Sequence, residues 1–163
     1  AERSCSCMTF LRALMLLALV VWIGGIIFFA FVLAPTVFTV LPTTAMAGNV
    51  VSRSLTILHW MGIGSAIVFL ICSLLYNRAK YARVKMFTIV HVLVVIMFVL
   101  TLISQFGITP RVRALRSEMW RADTFEDPIR LEFNKMHAWS TGLESGVLVL
   151  GIVVIALTAR RFS

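Results

Sequence analysis

Residues 13–52 of this chain carry no Asp, Glu, Lys or Arg, and neither do residues 54–77 or 86–110. A fourth run, 136–159, carries only Glu144. Crossing the hydrocarbon core of a bilayer takes about 20 apolar residues in a helix, so each of the last three runs supplies one span. The first run is too long for a single helix and is divided by Pro35. Lipid offers the backbone no hydrogen-bond partners, so the spans must be helices. The expected fold is an all-α integral membrane protein, with one domain over 1–163 and four helices in an up-down bundle. The spans fall near 10–34, 55–76, 86–108 and 138–158. Composition agrees: 60% of residues are hydrophobic and 13% charged, against roughly 45–50% and 25% in soluble domains. The first span exceeds the ~7–15 apolar residues of a signal peptide core and reads as a retained packing helix containing Gly24-Gly25.

The net charge of +8 would suggest nucleic acid in a soluble chain; here it reports topology, and no nucleic-acid partner is implied. With four spans, the N-terminus, the loop 77–85 and the C-terminus share a side. Arg78, Lys80, Arg83 and Lys85 crowd that loop, and short Lys/Arg-rich loops stay in the cytoplasm. Both termini are therefore expected inside, in a bacterial cytoplasmic membrane. Cys5-x-Cys7 lies on the tail and Cys72 in the second span. A disulfide is not expected in that compartment, and two thiolates are half of a soft-metal site.

The segment 35–53 is apolar and punctuated by Pro35, Pro42 and Gly48. It is expected to fold against the outer membrane surface as a re-entrant turn or interfacial helix. Residues 111–121 put Val112, Leu115 and Met119 on one face, the pattern of a short interfacial helix. Its arginines are expected to pair with Glu118, Asp123, Glu126 and Asp127 as a salt-bridged outer cap. Asp127-Pro128 starts a helix, with Asp as N-cap and Pro at N1. One helix is then expected from Pro128 to about Thr158, its first turns extending outside the bilayer. Small residues at Gly24, Gly25, Gly142 and Gly146 are candidates for close helix packing.

Glu144 is the chemical anomaly. A charge near the bilayer centre costs roughly 2.5–3.5 kcal/mol on insertion scales, so this carboxylate must be neutral, paired or beside water. At ~1.5 Å per residue, Glu144 sits ~24 Å above Arg160, His59 ~25 Å above Tyr76, and His137 ~10 Å beyond Glu144. His91 is only ~9 Å above Lys85 by the same rule, too far to join them. At ~100° per residue, His137, Ser140, Thr141 and Glu144 share a face, which Asn134 extends outward. Three readings stay open. The stripe is a structural hydrogen-bond network; or a transition-metal or b-type haem site built on His59, His137 and Glu144, with Met46, Met61 and Met136 nearby; or a proton or small-solute pathway. There is no H-E-x-x-H, phosphate loop or Gly-x-Ser-x-Gly, and no nucleophile stands out, so the reading leans away from an enzyme.

Trp22-x-Gly24-Gly25, Pro35-x-x-Phe38, Pro110 and Phe133-x-x-x-His137-x-x-Ser140 occur in this order around the spans. In these motifs the chain resembles the domain-of-unknown-function 4149 family, the transmembrane protein 205-like membrane proteins, from about Leu14 to Ile155. The resemblance implies an integral membrane protein of undefined biochemistry. Eukaryotic members are linked to metal-drug resistance, which hints at metal handling. Where the family usually has Asn this chain has Glu144, so a chargeable group there is particular to this chain. A more distant likeness, in layout alone, is to copper-resistance membrane proteins. The expected function is binding of a metal ion or haem, or passage of a proton or small solute, at the outer polar site. The alternative is a structural or accessory subunit whose stripe meets a partner helix, in a homo-oligomer or a membrane complex.

Overall fold

The computed structural model describes residues 2–81, 89–119 and 128–162, and these are helical except at Leu41–Thr43. Helix α1 (Glu2–Phe28) passes through a π-helical turn at Phe29–Leu33 into α2 (Ala34–Val40). Helix α3 spans Thr44–Tyr81. Helix α4 (Ile89–Leu102) passes through a second π-turn at Ile103–Ile108 into α5 (Thr109–Met119), and α6 spans Pro128–Phe162. Each of the four rods is long and apolar enough to cross a membrane. Lys80, Arg83 and Lys85, the side chain of Cys5, the loop acids Asp123 and Glu126, and the Asp127 cap fall outside the described backbone or side chains.

Pro35 does not divide the first rod. A proline inside a helix lacks the N–H for its i−4 carbonyl, and its ring collides with that carbonyl. Here the preceding turn widens: the Ala34 amide donates to Phe29 O, five residues back. Pro110 is treated alike, with the Thr109 amide donating to Ser104 O. The break comes instead at Pro42, which forces the residue before it out of the helical region; Leu41 is extended at φ −81°, ψ 141°. Thr43 then caps α3, its hydroxyl accepting from the Met46 amide at 3.2 Å, a standard N-cap bond. The segment 35–53 thus resolves into α2, a three-residue corner and the first turns of α3. The helix expected over 111–121 is the continuation of the third rod, and α6 begins at Pro128. All four rods outrun the spans inferred from sequence, because helix continues past the apolar window wherever no proline forces an extended residue.

The rods form a ring: α1 packs on α3 and α6, and α4 packs on α3 and α6, while α1–α4 and α3–α6 make no backbone approach among the described residues. Trp22, Leu19, Phe69, Met97, Val94, Val147 and Val154 fill the centre. Small residues set the closest approaches. A Cβ at Gly62 would lie 2.5 Å from Trp22 Nε1, and one at Gly25 2.9 Å from Leu58 Cδ1. Gly151 faces Ile23 still more tightly. By contrast, a Cβ at Gly24, Gly142 or Gly146 would meet nothing within 4 Å, so these three do not mediate helix contacts within the described residues. The Arg12 guanidinium donates twice to the Tyr76 hydroxyl, at 2.6 and 3.1 Å, tying α1 to α3 near the termini. Large apolar side chains point outward along every rod, among them Val20, Phe31, Ile57, Phe106 and Val149. Lipid is the solvent such a surface fits.

Candidate functional site

All four prolines, at 35, 42, 110 and 128, lie at one end of the bundle, and the polar cluster is in that half. His59 is 1% exposed at the centre of the ring. Its Nε2 lies 2.5 Å from Glu144 Oε1, and its Nδ1 lies 2.8 Å from Gln105 Oε1. The side chain of Glu144 is 16% exposed. Ser104, fully buried, donates to the same Glu144 oxygen over a long 3.5 Å. The network therefore joins α3 to α6 across the diagonal that their backbones do not close, with the π-turn of the third rod reaching in from a third side.

Hydrogen-bond logic limits the states available. Gln105 presents its carbonyl oxygen, an acceptor, so His59 Nδ1 carries a proton. At Nε2 one further proton is shared. Either an imidazolium faces a carboxylate, or a carboxylic acid donates to a neutral imidazole. Both states satisfy both groups, and they differ only in which side of a 2.5 Å contact holds the proton. No hydrogen bond to the second Glu144 oxygen is found among the described residues, and Glu144 borders an open slot.

That slot, about 320 Å³, runs between the proline ends of α1, α3, α5 and α6. Ile26, Phe29, Phe38 and Leu55 make its apolar walls, and α6 contributes His137, Ser140 and Glu144. His137 lies seven residues before Glu144, ~10 Å along the helix. It stacks on Phe133, ring centroids 5.9 Å apart, and does not reach the pair. Ser140 is buried at the slot wall, and Asn134 is exposed. His91 is buried much nearer the termini.

The set His59, His137 and Glu144 is therefore not assembled as metal ligands. Among the described residues no three His, Cys, Asp or Glu side chains gather. His59 engages both ring nitrogens with Gln105 and Glu144, leaving no lone pair for a metal or a haem iron, and His137 does not face it. Met46 and Met61 are largely exposed. The residues present do not fit either cofactor.

Sequence reasoning missed Gln105 and Ser104. The available signal was Thr101-x-x-Ser104-Gln105, three polar residues in the final third of an apolar span just before Pro110. Of the expected salt-bridged cap, Asp123, Glu126 and Asp127 lie outside the described residues. Arg113 donates to the hydroxyls of Ser52 and Thr56, and Arg116 to the carbonyl of Gly48.

A family model described as "Domain of unknown function (DUF4149)" matches residues 17–121. The chain belongs to this family. No curated protein and no solved structure matches it. The matched part of this DUF4149 protein holds His59, Ser104, Gln105 and the arginines of α5, but ends before α6. The family match thus covers the imidazole and its amide partner, and the carboxylate comes from outside it.

Proposed function

We propose that this DUF4149 protein is a non-enzymatic membrane protein that takes up and releases a proton at the His59–Glu144 pair, in contact with a small solute admitted to the slot. The observation that carries this reading is the 2.5 Å contact between two titratable side chains, one fully buried and the other bordering a cavity. Ionisable groups within membrane helices that pair beside a cavity are the usual parts of proton relays and solute paths. The arrangement supplies one shared proton, an entry side at Glu144 and a fixed acceptor behind His59. We place the chain in a bacterial cytoplasmic membrane with both termini inside, supported by the basic residues near the termini and in 77–85.

Infrared difference spectroscopy of the purified protein tests the pair directly. A pH step should give a carboxyl C=O band that disappears in Glu144→Gln. Proteoliposomes with an entrapped pH dye should show proton entry that the same substitution abolishes. A wild-type spectrum with no Glu144-dependent band overturns the reading.

One observation favours a second reading, the accessory subunit. Gly142 leaves a shallow groove on α6, beside Trp139 and Leu143, and a Cβ there or at Gly146 would meet nothing within 4 Å among the described residues. A partner helix would fit there. Gly142→Leu should then abolish co-purification of a partner or of a second copy while leaving the infrared band intact.

A further inference from the structure

Arg53, Arg113 and Arg116 line one bowl at the proline end, about 810 Å³, together with Asn49, Val50 and Ser52. Among the described residues no carboxylate pairs with any of these three guanidiniums. Two are pinned from one side. Arg113 is held by Ser52 and Thr56, and Arg116 by the Gly48 carbonyl and by the Phe133 ring 6.0 Å away. Arg53 makes no such bond among the described residues and is exposed. Each guanidinium has five N–H donors, and the bonds described use at most two of them. The remainder form a cationic bowl whose position is fixed by α3 and α5.

The bowl is continuous with the apolar slot, since Ser52 and Arg116 border both. A ligand that satisfies the two together has an anionic, multiply accepting head and an apolar tail. Guanidiniums pair best with phosphate, through parallel N–H···O bonds. The slot's volume is at the small end for ligand cavities, so it suits one acyl chain rather than a bulky ring system. We infer that this end of the bundle is a binding site for a phosphate-headed lipid, its phosphate in the Arg53–Arg113–Arg116 bowl and one acyl chain in the slot between α1 and α6. The site goes beyond the proton pair: its phosphate bowl excludes Glu144, while its acyl chain takes the place in the slot given above to the small solute and runs past Glu144 on the wall.

Native mass spectrometry of the full-length protein in nonionic detergent tests this. Phosphatidylglycerol, diacylglycerol and inorganic phosphate are added separately at equal concentration. Phosphatidylglycerol should remain bound at about tenfold or greater excess over diacylglycerol, as expected for charge-assisted bonds to one phosphate. Arg53→Gln, which breaks no described contact, should lower that retention severalfold. Ala30→Trp should block the tail and reduce lipid binding without changing phosphate binding. Gln105→Leu, at a residue that borders neither the slot nor the bowl, should shift the Glu144 band and leave lipid retention unchanged, which separates this site from the proton reading. Equal retention of diacylglycerol overturns the headgroup assignment. Phosphate binding as tightly as the lipid leaves only an anion bowl, and overturns the tail. No retention of phosphatidylglycerol overturns both.

Discussion

Replacing Glu144 by Gln and by Leu separates the proton at His59 from the hydrogen bond that holds it. In the wild type, Nε2 of a fully buried imidazole has one partner, 2.5 Å away. Gln keeps the shape and brings an N–H that donates to a neutral Nε2, so the buried ring stays satisfied. Interhelical hydrogen bonds in membranes average about 0.6 kcal/mol, and Glu144→Gln should cost no more than about 1 kcal/mol. Leu removes the partner outright and leaves a buried nitrogen without one, a penalty of roughly 1–3 kcal/mol for the polar group alone. The Leu variant should therefore be less stable than the Gln variant by about 1–2 kcal/mol. Reversible unfolding in bicelles, by steric trapping or by denaturant with matched slopes, measures the difference. A Leu variant as stable as the Gln variant would refute the argument, since Nε2 would then not depend on residue 144. A Gln variant that unfolds by several kcal/mol would refute it in the opposite direction, by showing that the charged pair, which costs about 3–5 kcal/mol when one buried partner is lost, is the state the fold requires.

Three further outcomes follow from other contacts. Gln105→Leu should cost about 1–3 kcal/mol by leaving His59 Nδ1 without its acceptor, and should shift the Glu144 carboxyl band as the shared proton is redistributed. Gly62→Ala should destabilise by about 1–3 kcal/mol through overpacking against Trp22, whereas Gly142→Ala should be neutral or stabilising by up to about 1 kcal/mol, both read by the same unfolding assay. Cys7, exposed on the tail, should react with a membrane-impermeant maleimide only after cells are opened, while buried Cys72 stays unreactive; labelling of Cys7 on intact cells refutes the inside placement of the N-terminus.

The helical membrane fold was legible because its cause is one-dimensional: charge-free runs of span length leave the backbone no alternative in lipid. The meeting of His59 and Glu144 was legible in depth, since rise per residue is nearly constant. Azimuth was a poorer guide. His137 does share the face of Glu144, but seven residues of rise place it at the slot and not at the pair, so a common stripe did not make a common site. Gln105 was hidden for a different reason. An uncharged amide in an apolar span carries no warning in composition, and its inward aim depends on the π-turn at Ile103–Ile108. Pro35 was read as a break when it, like Pro110, is absorbed by a wider turn; Pro42, with an extended residue before it, is where the helix stops.

The two π-turns also account for why the slot and the network occupy the same half of the bundle. Each ends two residues before a proline, its wide bond closed by the amide just before the proline, where the ordinary i−4 bond would be lost, and each changes the turn from a regular helix. In the first rod the widened turn supplies Phe29, Ala30 and Phe31 to the slot. In the third it turns Ser104 and Gln105 toward His59. A regular helix through either segment would keep its backbone bonds but would present different side chains to the interior. The prolines therefore act less as helix terminators than as devices that open one wall of the bundle and place a polar group opposite it. Glu144 needs no such device: α6 is regular through that position, and the carboxylate reaches His59 from the one rod whose proline stands at its first residue.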